Sequence, residues 1–403
     1  MKIRSKVFFL LIACSSLLSP VFTNAQTKDS SLIGQIDLID VTRHALKLKE
    51  IVQSDTVKEL PLYVSVLPAL GYAIQNGFTA VIISNISFYV GKKRNNNIST
   101  ISAIAEYTQF NQFLVPINVN IWSAGNKWNF SGDWRYYNYS AFNYGLGGKT
   151  PASNGMLVYY DYLRFYQLAL RRISNNFLGG IGYNLDYHYV IHEKDPASQP
   201  NNDFKKYGSG SQSVSSGISF NLLYDSRKNS NTPLAGEYYA NVVYRPNFTF
   251  MGSDQNWQAL LLDFRTYIAF PAKSKNTLCF WNYNAFTLAG NPPYFDLPSV
   301  GWDAYTNAAR QFRQGRYAGK NLLYLETEYR FGISKNGLFN AAVFANVQSV
   351  SEWPSNRFKY FIPGIGCGLR TKLNKRSNLN LLVSYGIAAD GSQGFFFNLG
   401  EVF

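Results

Sequence analysis

Cysteine and histidine are both scarce in this sequence, with three of each among 403 residues. Cys14 falls in the N-terminal leader, so only Cys279 and Cys367 remain, too few for a disulfide framework. Both sit at apolar strand positions and are expected to be lone thiols, packed or lipid-facing. His188 and His192 lie four apart on one face of a strand-like stretch, with Glu193 and Asp195 nearby, and His44 is isolated. A metal centre needs three or four ligands, so neither a metal nor any other cofactor is expected. Charge is also sparse, at 15%. No apolar run approaches the roughly 20 residues of a membrane-spanning helix. The glycines at 145–148 lack the Gly-Lys-Ser/Thr ending of a phosphate loop. No blade-length repeat points to a propeller, which leaves a large lectin-like sandwich as the soluble all-β alternative.

Aromatic residues, by contrast, make up 16% of the chain. High aromatic content with little charge suits a barrel girdled by aromatics at the membrane surfaces. The N-terminus opens with Lys2, Arg4 and Lys6, then an apolar run at 7–13, and later Thr23-Asn24-Ala25 before Gln26. That order is a secretory signal peptide, expected over residues 1–25. Leu11-Ile12-Ala13-Cys14 also resembles a lipobox, so lipidation of Cys14 stays open. The formal charge of +14 remains strongly basic once the leader's three basic residues are removed. In a secreted chain with no nucleic-acid motif, this fits loops that face anionic lipid headgroups or lipopolysaccharide phosphates, and no nucleic-acid partner is expected.

Residues 26–60 carry mixed helical spacings, Leu32, Ile33, Ile36 and Ile39 among them, and predict one short amphipathic helix. The segment is too short to be an independent domain. It is placed in the periplasm, on the membrane surface or in the barrel mouth. From residue 61 to 403 the pattern is strand, turn, strand. Asn76-Gly77 is a tight-turn signal. Residues 321–333 alternate strictly, with Tyr324, Glu326, Glu328 and Arg330 on one face and Leu323, Leu325, Thr327, Tyr329 and Phe331 on the other. Residues 255–270 put Asp263, Arg265 and Tyr267 opposite Leu262, Phe264 and Ile268 in the same way. The last strand is placed at 394–403. A charged face opposite a greasy one suits a membrane barrel with a polar lumen. The chain is therefore expected to be all-β: a transmembrane antiparallel β-barrel of about sixteen strands, with a short N-terminal helical segment, located in the outer membrane. A long connection rich in Pro, Gly and aromatics, residues 290–320, interrupts the short turns and marks a functional loop.

Four stretches, in order, then resemble one family. They are Tyr224-Asp225-Ser226-Arg227 followed by Pro233 and Gly236; Gly252-Ser253-Asp254 with Asp263, Arg265 and Tyr267; Arg310-Gln311-Phe312 through Gly315-Arg316-Tyr317 with Glu328-Tyr329-Arg330; and Gly364, Gly366, Gly368, Leu369 and Arg370 ahead of a phenylalanine-rich end. Together they resemble the barrel of the BamA/TamA-type outer-membrane assembly proteins, the bacterial surface antigen family. The resemblance implies a sixteen-stranded barrel whose long loop folds into the lumen. It also implies a loop-lock motif of Arg310, Gln311, Phe312 and Arg316, with Arg310 bonding an acid of the wall. Glu326, Glu328 and Asp263 are the candidate acids, and Asn346 is a further candidate lumen partner. Gln311 stands where the family has glycine, and Asn346 where an aspartate is common. About 35 residues after the leader cannot hold a periplasmic POTRA domain, which in size points to the POTRA-less branch seen in Bacteroidetes-like bacteria.

Such a barrel is expected to be no enzyme, because Ser215, Ser219 and His188 follow no catalytic motif. The implied role is insertion, assembly or translocation of outer-membrane proteins or lipids. It would act through local bilayer thinning and a weak seam between the first and last strands, where Pro68, Gly71, Gly394 and Gly400 weaken pairing. The partners would be membrane lipids, lipopolysaccharide, unfolded outer-membrane clients or a separate periplasmic protein. The alternative is a passive pore or a structural barrel without insertase activity.

Overall fold

The computed structural model describes residues 34–45, 47, 62–73, 75–91, 96–197, 202–207, 210–303, 307–375 and 377–403. The expected leader at 1–25 lies outside the described residues, as does most of 26–60. Sixteen strands follow one another around a single antiparallel sheet in sequence order. They are β1 (Leu62–Ala73), β2 (Gly77–Phe88), β3 (Ser99–Thr108), β4 (Phe113–Trp122), β5 (Trp128–Asn143), β6 (Met156–Ser174), β7 (Phe177–Glu193), β8 (Ser213–Asp225), β9 (Tyr238–Asn247), β10 (Trp257–Ala269), β11 (Thr277–Gly290), β12 (Asn321–Gly332), β13 (Phe339–Val350), β14 (Ile362–Asn374), β15 (Leu379–Ala388) and β16 (Gln393–Leu399). The strands expected from alternation are all present. No helix among the described residues is long and apolar enough to cross a membrane, so the spanning elements are strands.

Alternation sets the wall's two faces. In β12, Tyr324, Glu326, Glu328 and Arg330 are buried in the lumen while Leu325 is exposed outside. Val66, Phe78, Ile181, Phe220, Leu222 and Ile365 are likewise exposed on the outer face. Only a bilayer makes this arrangement favourable, because hydrocarbon takes the apolar face and the ladder pairs every spanning amide internally. Cys279 is buried and Cys367 is exposed on the outer face, both as free thiols.

The wall is uneven. β6 has 19 residues and β7 has 17, whereas β16 has 7. At about 3.4 Å per residue and a tilt near 40°, β6 rises about 50 Å and β16 about 18 Å, against an apolar band of roughly 25 Å. The cylinder is nearly closed. Successive strands are laddered from β1 to β16, but no ladder joins β16 to β1 among the described residues. At that seam Tyr72 meets Phe397 edge-on, with ring centroids 6.1 Å apart.

The last strand, expected at 394–403, stops at Leu399. Gly400 takes φ +90°, a left-handed turn that favours glycine, and the chain bends inward so that Val402 and Phe403 are buried in the lumen. At the same end a short helix, α1 (Leu38–Ala45), lies against β14. Just before it, Asp37 accepts from the Lys375 backbone N–H at 2.9 Å, and Ile36 N–H donates to Asn336 O at 3.0 Å. The described part of the N-terminal segment therefore sits at the turn end of the barrel. A second short helix, α2 (Asp203–Lys206), is capped by the Asn202 side chain and lies at the opposite, loop end.

Candidate functional site

β11 and β12 are ladder neighbours, so a tight turn would connect them. Instead, residues 291–320 run back into the lumen. Their base is zipped by Val300 N–H to Tyr317 O at 3.0 Å and Gly315 N–H to Val300 O at 2.8 Å. The Asp303 carboxylate then accepts from the Asn307 and Ala308 amides at 3.1 and 2.8 Å, which shapes the tip. Ala309 follows with φ +55°, an unfavourable conformation for an L-residue, held by its N–H bond to Tyr324 Oη at 2.9 Å.

This turn delivers Arg310 to two wall glutamates. Its Nη2 donates to Glu326 Oε1 and, at 2.8 Å, to Glu328 Oε2, both on β12. All three side chains are essentially excluded from solvent, with relative exposures of 1, 0 and 0%. The guanidinium also stacks on the Phe344 ring, 3.9 Å from its centroid. Beside it, Gln311 and Asn346 form a reciprocal amide pair at 2.7 and 3.2 Å, and Asn346 Nδ2 reaches Glu326 Oε2 at 3.2 Å. The two positions that depart from the pattern the sequence resembles thus meet each other. A glutamine at 311 needs an amide partner, and the amide at 346, unlike an aspartate, can both donate and accept. Space for this comes from β14. A Cβ on Gly364 would lie 2.2 Å from Gln311 Nε2, and one on Gly366 would lie 2.3 Å from the Phe344 ring.

Asp263, the third candidate partner, does not meet Arg310. It is taken by Arg265 at 2.9 and 2.7 Å and by Trp281 Nε1 at 2.9 Å. Arg265 lies two residues along the same face of β10, and the Trp281 indole of β11 stands between Asp263 and Glu326. Phe312 is buried, packed edge-on to Tyr317 with centroids 5.7 Å apart. Arg316 lies apart from Arg310, near the loop end. It donates to Thr150 O at 2.8 Å, pairs with Asp390 at 3.3 Å and lies over the Tyr144 ring. It ties the loop's base to the β5–β6 and β15–β16 connections.

The cluster extends beyond the residues given a role from sequence. Glu328 Oε1 also accepts from Arg330 at 2.7 Å and Arg370 at 2.6 Å. Arg370 Nε donates to Glu401 Oε2 at 2.6 Å, and Asn380 Nδ2 donates to the other Glu401 oxygen at 2.8 Å. Three carboxylates (Glu326, Glu328, Glu401) thus face three guanidiniums (Arg310, Arg330, Arg370) away from water. The inward tail is held further by Arg330 Nη2 to Phe403 O at 2.9 Å, by Asn307 Nδ2 to Val402 O at 2.8 Å and by Phe403 against Trp281, centroids 5.2 Å apart. Loop tip, wall and β16 tail are joined in one buried network. The signal for Arg330 in the sequence is its position two residues from Glu328 on the same face, and both it and Arg370 fall in stretches that carry the resemblance. Glu401 carries none, because only distant arginines turn it inward.

A second network braces the loop's base. Asp296 accepts from Ser215 Oγ at 2.5 Å, with His188 Nδ1 at 3.9 Å and Arg245 bonded to the nearby Asp186 at 2.6 Å. Burial and the neighbouring Asp186 carboxylate push the Asp296 carboxyl up to about 7. Serine, histidine and an acid do meet here, but the acid lies between the other two. No hydroxyl is presented to an imidazole, as nucleophilic catalysis requires. Among the described residues no cluster of three or more His, Cys, Asp or Glu fit to hold a metal is found.

Comparison with solved structures finds the same architecture. BamA from Haemophilus ducreyi lacking POTRA domains 1–3 matches with a TM-score of 0.56 at 16% identity, covering 84% of this chain and 70% of that one. CdiB from Acinetobacter baumannii matches with a TM-score of 0.54 at 13% identity, over 84% of this chain and 60% of that one. CdiB from Escherichia coli gives 0.50 at 12%, over 85% and 63%. This chain has the BamA and CdiB barrel fold. It spans less than two thirds of either CdiB chain. No protein-family model and no curated protein sequence matches it.

Proposed function

We propose that this barrel resides in the outer membrane and assists the entry of other outer-membrane components, proteins or lipids, into the bilayer. The observation that carries the reading is the seam. β1 and β16 meet without a ladder, and β16 is the shortest strand in the wall. An unpaired strand edge is a template for an incoming strand. A wall about 18 Å high, against a roughly 25 Å apolar band, thins the adjacent lipid and lowers the barrier to insertion. The partners in this reading are membrane lipids, lipopolysaccharide and unfolded outer-membrane proteins, delivered to the turn end by a separate periplasmic protein of the kind that POTRA domains otherwise replace. A kinship with the POTRA-less Bacteroidetes-like barrels belongs to the same proposal. The role is non-enzymatic.

The test is the folding rate of a model porin into liposomes with and without the purified protein. Acceleration at substoichiometric ratio is expected. An unchanged rate, with and without periplasmic extract, would overturn the reading. The occupied lumen favours one other role, a plugged structural barrel. That role predicts no acceleration and no conductance in planar bilayers, whereas a passive pore predicts steady conductance.

A further inference from the structure

At the loop end, far from α1 and the tail, a cavity of about 290 Å³ opens between α2, the start of the long loop and the β13–β14 connection. Part of its lining is aromatic. Tyr207 and Trp353 are both half-buried, with centroids 6.1 Å apart and planes tilted by 58°. Tyr207 is fixed there by its Oη bond to Pro292 O at 2.9 Å. The rest is mixed: Ile191, Pro293 and Phe295 are apolar, while Lys206, Gln212, Asp254 and Gln255 are polar. Asp254 is oriented by accepting from Val214 N–H at 2.8 Å through Oδ2, while Ser213 Oγ is buried with no partner among the described residues.

We propose that this cavity is a saccharide site that takes a single hexopyranose ring. The chemistry of the lining selects that class. One lysine opposite one aspartate leaves no net charge, which disfavours a phosphate or a cation. A lipid chain would leave the amides and the carboxylate unsatisfied. A sugar ring presents an apolar C–H face to an aromatic side chain and a rim of hydroxyls that both donate and accept, as the amide and carboxylate groups require. Small-ligand pockets combine aromatic walls with a few placed polar groups in this way, and the volume lies at the lower end of their range.

The experiment is saturation-transfer NMR on the full detergent-solubilised protein with four probes: glucose, galactose, N-acetylglucosamine and a core oligosaccharide released from lipopolysaccharide. Transfer to at least one probe is expected, with Trp353→Ala and Asp254→Asn each weakening it about tenfold or more. Both variants lie outside the lumen network, so an unchanged heat-shift on gels certifies their fold. Binding of the core oligosaccharide alone assigns the ligand to the membrane's own glycolipid, and binding of the simple sugars assigns it to soluble glycans. No transfer to any of the four probes overturns the proposal, as does binding that survives in both variants.

Discussion

Arg310 is the residue on which most of the lumen depends. Its removal leaves Glu326 with Tyr324 and Asn346 but no cation, in a site closed to solvent. Breaking one partner of a buried pair costs about 3–5 kcal/mol. Arg310→Ala is therefore expected to lower the heat-modifiability midpoint on gels by many degrees. Arg310→Lys should recover only part of the loss, because a lysine keeps the charge but not the flat guanidinium that stacks on the Phe344 ring. The Asp296 carboxyl makes a prediction of opposite pH sign to a paired acid. Its pKa is raised in the folded state to about 7, so the folded protein holds more protons than the unfolded chain between about pH 4 and 7. Its contribution is full below pH 4 and is lost as pH rises through 7. The midpoint should fall between about pH 4 and 7, and Asp296→Asn should flatten that slope. A slope unchanged in the variant would refute the assignment. At this scale the sequence was partly legible. Glu326 and Glu328 were visible as inward acids from alternation alone. Asp263 looked equivalent, and only the Trp281 indole and the neighbouring Arg265 separate it from Arg310.

At the scale of elements, β16 and its tail can be tested together. Val402 is buried beside the ion cluster. In a background with Cys279→Ser and Cys367→Ser, maleimide labelling of Val402→Cys is expected to be slow, and at least about tenfold faster once Glu401→Gln removes the charge held by Arg370. Equal rates would mean that the tail stays inside without Glu401. The seam has its own test. In the same cysteine-free background, a Tyr72→Cys and Phe397→Cys pair bridged by a short bis-maleimide should abolish porin-folding acceleration, while either single variant keeps it. Strands were the most legible elements because burial on one face and lipid on the other enforce period two over seven to nineteen residues. The tail was not, since Gly400-Glu401-Val402-Phe403 continues the alternating pattern of a strand. What diverts it is Arg330 and Arg370, about 70 and 30 residues away in sequence, and no local propensity records that.

The whole molecule is a cylinder of uneven height filled by its own chain. The long loop packs on both sides of the lumen: Phe312 and Tyr317 lie in one apolar cluster with Trp281 and Phe403, and Tyr294 and Leu297 lie in another with Tyr139 and Tyr160. Conductance across planar bilayers is accordingly expected to be near zero for the intact protein, and to rise in Arg310→Ala if the loop swings free. The barrel architecture was legible as a count of alternating segments with short and long connections between them. The seam was legible only as glycines and a proline, because pairing between the first and last strands depends on closure of the whole sheet.

The buried hairpin also constrains the order in which the molecule can be made. Residues 291–320 are anchored at both ends to adjacent staves, β11 and β12, and carry Arg310 deep into the interior. Threading that charged tip through a finished hoop would strip it of water before any carboxylate was within reach. A sheet that curls around the hairpin while still open would avoid that cost, with the hairpin as the former on which the staves are bent. Glu401, on the tail of β16, completes the charge balance only when the hoop is almost shut. A barrel whose tail has not docked would keep Arg370 without one of its two carboxylates, and such an unfinished copy is distinguishable from a finished one by chemistry alone.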